Sequence, residues 1–478
     1  MEDVDDELPG ARFERAKRTI GLVAGPAVAA IVYVITRDGP APLLAGLMAL
    51  AVTWWLSEAL PSAAVALMVA ALSVLGGLAT PKQAFGAFGS PLLFMFVGAF
   101  FIAEAMKVHG LGARAAAATV GLARGPASLL VALSGTAFAL SLLMSNTAST
   151  AIVLPVALAA LASADRRFQS AIVLAIAWGA SMGGLGTPVG TPPNLIGIAE
   201  LRKRGVDLDF GTWMQIGLPI GLAMLAVMWV VLIVMFGLRR GAHVALPEMR
   251  ARHPWSQGEL ATLAAMAVAV AGWAGPSVID ALAPTSRAAV WANAHMSEET
   301  VAVVAGCLLF VLPGGVRRPA LTWTEATRID WGVILLFGGG ILLGDLAKQT
   351  GLTSAWGAEL VELTGAHSMW AIVALCTGVA IVLSEATSNT ATSVLMAPLA
   401  ASLAVAAGHS PVPAVLGATI GSSFGFMMPI STAPNAMAYG TGKVTMGQMM
   451  RTGIVFDVVG FVVVVAGLRL VCPLLDLA

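Results

Sequence analysis

Residues 384–392 read Ser-Glu-Ala-Thr-Ser-Asn-Thr-Ala-Thr, and the same Ser-Asn-Thr triplet recurs in residues 141–150, Ser-Leu-Leu-Met-Ser-Asn-Thr-Ala-Ser-Thr. Each triplet interrupts a long apolar stretch, residues 126–162 in the first case and 368–406 in the second. Each stretch is long enough for two half-crossings of a bilayer. Polar, irregular backbone is tolerated at membrane depth only where it lines a protein cavity. We therefore predict two re-entrant hairpins, each of which enters and leaves on one side of the membrane.

The two triplets belong to a longer internal repeat. Residues 96–111 correspond to 337–352, and Thr-Pro-Pro-Asn at 191–194 corresponds to Thr-Ala-Pro-Asn at 432–435, in both cases 241 positions later. About five predicted crossings separate the two copies, and an odd number turns the second copy upside down. Inverted repeats with interrupted helices are typical of secondary transporters.

The composition makes the bilayer the natural solvent of this chain. Of 478 residues 58% are hydrophobic and 11% charged, and the mean hydropathy is +0.87, which a soluble domain of this size does not reach. We predict an all-α polytopic membrane protein with an inverted repeat of about eleven transmembrane helices, two re-entrant hairpins and broken helices. The predicted spans are 19–36, 41–57, 61–79, 90–107, 168–198, 213–238, 258–275, 299–314, 331–347, 410–440 and 452–475.

A cytoplasmic N-terminus agrees with the distribution of basic residues. Threading from that side places most Lys and Arg residues, including Lys107 and Arg328, in cytoplasmic connections, as the positive-inside rule expects. The cluster Arg202, Lys203 and Arg204 is the main exception. We expect a multi-pass protein of the plasma membrane, which in a bacterium is the inner membrane.

Several other classes of protein are disfavoured. The net charge is zero and the basic residues are scattered, so the electrostatic footprint of nucleic-acid binding is missing. Cys307, Cys376 and Cys472 are too far apart for a thiolate metal site. An intramembrane serine protease would need a base beside its nucleophile, but the six histidines fall in or beside predicted loops. We therefore expect a transporter and not an enzyme.

The interrupted helices themselves indicate the chemistry. Four polar clusters combine Gly, Pro, Ser, Thr and Asn and contain no Lys or Arg. They are residues 141–150, 183–194, 384–392 and 421–435. Carbonyl and hydroxyl oxygens at the end of one half-helix suit a small hard cation such as Na⁺, and free N–H groups at the start of the next attract an anion. Ser and Asn are also good helix N-caps, which is the simpler interpretation of each triplet alone. Glu385 could balance cation charge, take a proton, or lie at a hydrated hairpin mouth, and Asp457 stays unassigned.

These motifs resemble a known family. The paired Ser-Asn-Thr hairpins, Gly-Thr-Pro-Pro-Asn at 190–194 and Trp-Trp-Leu-Ser-Glu-Ala-Leu at 54–60 are similar to the divalent anion:sodium symporter family. The resemblance implies a homodimer, Na⁺ as coupling ion, a dianionic substrate such as succinate, malate, fumarate, citrate or sulfate, and elevator-type alternating access. Ala433 stands where the family pattern usually has Pro.

The resemblance also implies roles for particular residues. Substrate carboxylates would meet Asn146, Thr147, Thr191, Asn389, Thr390 and Thr432. The first sodium site would use Ser141, Ser145, Asn146 and the carbonyl of Gly190, and the second Ser384, Thr387, Asn389 and the carbonyl of Ser431.

A division into domains follows from the same resemblance. We expect scaffold parts at 1–122 and 241–365 and transport parts at 123–240 and 366–478, each transport part holding one hairpin and one broken helix. The expected function is sodium-coupled uptake of a C4-dicarboxylate. An anion exchanger or a proton-coupled permease for sulfate, citrate or arsenite is the alternative, and a passive channel fits broken helices less well.

Overall fold

The structure is a computed structural model that describes residues 9–123, 125–161, 164–238 and 254–477. In these ranges it is predominantly helical, and eight helices are long and apolar enough to cross a membrane. The helices are α1 Pro9–Ile35, α2 Pro42–Ser57, α3 Ser62–Leu75, α4 Pro81–Gly86, α5 Pro91–Val108, α6 Leu111–Leu122, α7 Pro126–Ser141, α8 Asn146–Ala160, α9 Arg166–Gly184, α10 Pro192–Arg202, α11 Phe210–Phe236, α12 Gln257–Leu282, α13 Arg287–His295, α14 Glu298–Leu308, α15 Trp323–Ala326, α16 Trp331–Gln349, α17 Leu352–Thr364, α18 Met369–Ala386, α19 Asn389–Ala406, α20 Pro411–Gly421, α21 Ala433–Gly440 and α22 Met446–Leu474. One 3₁₀ turn, Ala87–Gly89, follows α4, and a two-stranded antiparallel hairpin is formed by β1 Pro313–Gly315 and β2 Arg318–Pro319.

Both polar interruptions divide their apolar stretch into two helices. The first stretch becomes α7 and α8, which pack on each other, and the second becomes α18 and α19, which do the same. The two other clusters separate α9 from α10 and α20 from α21. The predicted all-α architecture, with hairpin-like pairs and broken helices at these positions, is confirmed.

Short helices between the spans escaped prediction. They include α4 and α15, both of which start with a capping box, Thr80 with Gln83 and Thr322 with Glu325. A capping box satisfies two orphan amides of the first turn, so a few residues suffice for a helix. Three other helices are longer than α4 and α15 but still too short or too polar to be predicted as membrane spans. They are α6, α13 and α17.

The helices pack in two groups. We call α7 to α11 together with α18 to α22 the hairpin group, and α1 to α5 together with α12, α14 and α16 the flanking group. Helices pack extensively inside each group, while the two groups meet over fewer contacts. Both α6 and α17 pack mainly on the hairpin helices, α6 on α7 and α8 and α17 on α19.

Aromatic side chains join the two halves of the chain within each group. In the hairpin group, Trp178 of α9 stacks on Phe456 of α22 with ring centroids 5.1 Å apart. In the flanking group, Phe96 of α5 meets Phe337 of α16 edge to face at 5.6 Å. Phe96 and Phe337 are themselves corresponding positions of the repeat, and aromatic pairs of this kind stabilise packing beyond the area they bury.

Candidate functional site

The first hairpin turns between the end of α7 and the start of α8. Ser145 is the N-cap of α8, and its hydroxyl accepts a hydrogen bond from the Ala148 amide at 3.3 Å. The buried Ser141 hydroxyl, at the last position of α7, donates to Asn146 Oδ1 at 2.7 Å. This bond ties the two ends of the hairpin tip together.

The second hairpin repeats this arrangement. Ser388 is the N-cap of α19 and accepts from the Ala391 amide at 3.3 Å. The Ser384 hydroxyl lies 2.7 Å from Asn389 Oδ1 and equally far from the Ser422 carbonyl. The N-cap interpretation is therefore correct for the serine of each triplet, but it does not explain the hydrogen bonds that Ser141 and Ser384, which precede the triplets, make to the two asparagines.

The two helix breaks are also built alike. Asn194 donates through Nδ2 to the carbonyls of Gly184, at 2.8 Å, and Thr187, at 2.7 Å. Asn435 does the same to the carbonyls of Gly425, at 2.7 Å, and Met428, at 3.1 Å. Every partner in the second break lies 241 positions after its counterpart in the first. Each asparagine thus holds its unwound segment against the helix that follows it.

Hairpin tips and breaks meet at one cavity of about 720 Å³. Four helices, α8, α10, α19 and α21, begin with residues that line it, so the positive ends of four helix dipoles border the same space. All six residues predicted to meet the substrate line this cavity: Asn146, Thr147, Thr191, Asn389, Thr390 and Thr432.

The predicted cation residues divide into lining and supporting positions. Ser145, Gly190 and Ser431 line the cavity together with the two asparagines. Ser141 and Ser384 are fully buried behind it and reach it through their bonds to those asparagines. The Thr387 side chain points elsewhere, since its hydroxyl bonds to the Leu383 carbonyl and to Thr392.

The first hairpin tip and the first helix break bring oxygen atoms close together at the predicted first cation site. It is walled by oxygens, and among the described residues no group of His, Cys, Asp and Glu could hold a metal ion instead. A Cβ on Gly190 would come within 2.9 Å of the Ser141 carbonyl, and one on Gly184 within 2.4 Å of Asn146 Oδ1. Glycine thus lets backbone approach the tip closely, and hard oxygen donors of this kind suit Na⁺.

Glu385 does not lie at a hydrated hairpin mouth. Its side chain is buried, and its two oxygens accept hydrogen bonds from the backbone amides of Met427, at 2.9 Å, and Met428, at 3.2 Å. It therefore holds the segment between α20 and α21. The carboxyl of Asp457, also buried, faces Glu385. The corresponding position in the first hairpin is Leu142, so this support exists in one half only.

The far wall of the cavity was not predicted from the sequence. It is formed by Phe100 and Lys107 of α5, by Val333 in the first turn of α16, and by Arg328 in the turn that leads into α16. Neither segment carries a cluster of Gly, Pro, Ser, Thr and Asn like the four predicted ones, so no local signal marked it. The correspondence of residues 96–111 with 337–352 was visible, but it does not say that one of these segments faces the hairpins.

Broken helices that meet at a polar cavity within a multi-span bundle define a membrane transporter. The sequence matches the profile of a family described as "Citrate transporter" over residues 52–421 and, in a second alignment, 298–475. It is 30% identical over 490 aligned positions to the sodium-dependent dicarboxylate transporter SdcS of Staphylococcus aureus strain USA300, covering 96% of this chain and 92% of that protein. SdcS of a bovine Staphylococcus aureus strain matches equally well.

The fold also resembles a solved transporter. The crystal structure of the Alcanivorax borkumensis YdaH transporter superposes with a TM-score of 0.56 and 14% sequence identity, over 83% of this chain and 87% of that one. The chain belongs to the divalent anion:sodium symporter family, and it is a multi-pass membrane transporter rather than an enzyme.

Proposed function

We propose that this transporter couples the movement of sodium ions to the uptake of a small dianion, a C4-dicarboxylate such as succinate. The relatives that are 30% identical over nearly the whole chain are named sodium-dependent dicarboxylate transporters, which supports both the ion and the substrate class. The cavity chemistry supports the same assignment independently.

One observation carries the proposal: two Ser–Asn pairs and four helix N-termini surround one cavity. Helix N-termini and side-chain hydroxyls and amides stabilise carboxylates. Two such sets, one from each half of the chain, match a molecule with a carboxylate at each end. The threonines at 147 and 390 offer hydroxyls to the same two ends.

Sodium would bind where α7, α9, α18 and α20 end, close to the same asparagines. Carbonyl oxygens at these C-terminal ends, with the hydroxyls of Ser145 and Ser431, supply the hard ligands that Na⁺ prefers. No Lys or Arg lies in the four polar clusters, so bound cations would supply positive charge near the dianion. This dependence of anion affinity on the cation is a physical route to coupling.

Alternating access would follow from motion of one helix group against the other. The hairpin group holds both tips and both breaks, while the flanking group supplies the opposite wall, and the two meet over fewer contacts than each makes internally. An elevator-type movement would carry the tips from one side of the membrane to the other. The division at 122/123, 240/241 and 365/366, the inversion of the second half and the homodimer remain predictions.

The deciding experiment is uptake of radiolabelled succinate into proteoliposomes with and without an inward sodium gradient. We expect sodium-dependent uptake by the wild type and loss of it in Asn146→Ala and Asn389→Ala. Asn293→Ala is the matched control, since Asn293 bonds to Asp280 and lies outside the cavity lining. Normal uptake by both cavity variants would overturn the site assignment.

The same assay separates the alternatives. Uptake that ignores sodium but follows a proton gradient or an internal dianion would replace symport by proton coupling or exchange. Competition by citrate tests the substrate class that the matching family profile is named for, and competition by sulfate or arsenite tests the remaining anions.

A further inference from the structure

The cavity wall opposite the hairpin tips is charged. Among the described residues, four charged side chains line the cavity, and all four belong to the flanking side: Glu104, Lys107, Arg328 and Asp330. By the predicted threading, Lys107 and Arg328 lie on the cytoplasmic side, so the cavity opens towards the cytoplasm.

Three of these four charges are engaged by partners of their own. Lys107 Nζ lies 3.3 Å from Glu104 Oε2, and Glu104 is buried, so this pair is largely neutralised. Asp330 caps α16, with Oδ1 accepting from the Val333 amide at 3.2 Å. The exposed Arg328 makes no side-chain hydrogen bond or ion pair within the described part of the chain, and it is the unmatched charge of the wall.

A guanidinium is well suited to a carboxylate, which it can bind through two parallel hydrogen bonds. The hairpin tips hold amides and hydroxyls without a basic side chain, so a dianion at the tips meets a formal positive charge from the protein only across the cavity. We propose that Arg328 is a one-sided carboxylate subsite, which contacts the dianion when the tips face the cytoplasmic cavity. This inference rests on the proposed function.

Sidedness follows from where Arg328 lies. It lies in the turn that leads into α16 of the flanking group, so motion of the hairpin group would carry the bound dianion away from it. The contact then stabilises substrate in the cytoplasm-facing state alone. Arg328 thus tunes cytoplasmic affinity and release, and the Ser–Asn tips serve both states.

The test compares wild type, Arg328→Gln and Arg328→Lys in membrane vesicles of both orientations, with KM for succinate measured at each face. We expect KM at the cytoplasmic face to rise roughly three- to tenfold in Arg328→Gln, with partial recovery in Arg328→Lys and no change at the opposite face. Arg317→Gln is the matched control, because Arg317 is exposed, lies on the same predicted side and does not line the cavity.

Each result decides the question. The subsite is overturned if KM changes equally at both faces or only at the outer face. It is also overturned if Arg317→Gln shows the same change. If the wild type carries succinate and Arg328→Gln has the same KM at the cytoplasmic face, the subsite is overturned and the proposed function stands. If the wild type transports no dianion and no dianion competes for uptake, both the proposed function and this subsite are overturned.

Discussion

Lys203 Nζ lies 2.9 Å from Asp345 Oδ1, and this ion pair joins the C-cap residue of α10 in the hairpin group to α16 of the flanking group. A second pair crosses between the groups beside it, Arg202 to Glu299 of α14 at 2.7 Å. These contacts give a structural role to the basic cluster that fitted the predicted threading least well. If the groups slide past each other, both pairs belong to one state of the transporter only.

We expect Lys203→Gln and Asp345→Asn each to depopulate the state seen here. A partly exposed pair contributes about 0.2–1 kcal/mol, which changes the ratio of two states up to about fivefold. The measurement is the labelling rate, from the cytoplasmic side, of a cysteine introduced by Ala148→Cys in the cavity wall, with exposed Cys307 replaced by Ser. Labelling should slow in each variant and slow no further in the double variant.

A matched control lies between β2 and α15, outside the hairpin group. Arg318 and Glu325 form an equally close pair at 2.9 Å, but it does not cross between the groups, so Arg318→Gln should leave labelling unchanged. Additive effects of the two Lys203 and Asp345 variants would show that the pair does not act as a unit.

Gly184→Ala should weaken sodium dependence without removing a sodium ligand. A Cβ at this position would come within 2.4 Å of Asn146 Oδ1, so the tip must move and its hydrogen bond with Ser141 must lengthen. We expect the sodium concentration for half-maximal uptake to rise by roughly tenfold or more.

Gly135→Ala in α7 is the control for Gly184→Ala. It makes the same chemical change where the added Cβ meets nothing within 4 Å, and alanine is the better helix former. Uptake should match the wild type or rise with stability. An equal loss in both variants would mean that the effect comes from general disturbance of the bundle.

How far the sequence predicts this structure depends on whether a feature is local. The hairpin at 126–162 and the break at 183–194 were predictable, because Gly, Pro and Ser-Asn-Thr interrupt apolar stretches and leave backbone groups that only a cavity can satisfy. The far wall with Arg328 was not, because it is made by distant packing of an uninterrupted segment. The sequence shows Glu385 as an acid inside a polar cluster, but its burial was not predicted, because its two amide partners lie 42 and 43 positions away, beyond any local pattern.

Glu298 predicts a pH dependence of stability. It lies just before the predicted span 299–314, and burial raises its pKa from 4.5 to about 7, against the opposing effects of the Phe210 amide and of Arg202; Glu299 and Asp209 add to the rise. The folded state thus binds the proton more tightly than the unfolded state. The contribution of Glu298 to stability should be largest below pH 4.5, fall by on the order of 1–3 kcal/mol as pH rises to about 7, and then level off.

The check is the unfolding temperature in detergent between pH 5 and 8, compared with Glu298→Gln. The amide can still accept from Phe210 and carries no charge, so this variant should lose the downward slope and be more stable at pH 8. Glu362→Gln, on an exposed part of α17, should keep the wild-type slope. A slope that survives in Glu298→Gln would assign the titration to another group.

Glu385 should matter for the second break in a way that has no counterpart in the first. Glu385→Ala leaves the Met427 and Met428 amides without their acceptors, and unsatisfied buried amides of this kind cost about 2–4 kcal/mol together. Glu385→Gln keeps one acceptor oxygen and should fall between wild type and Glu385→Ala. We expect a lower unfolding temperature in this order, with uptake falling in parallel because the unwound segment carries Ser431 and Thr432 into the cavity. Glu362→Ala should leave both unchanged, and full uptake by a stable Glu385→Ala would show that the segment keeps its shape without this carboxylate.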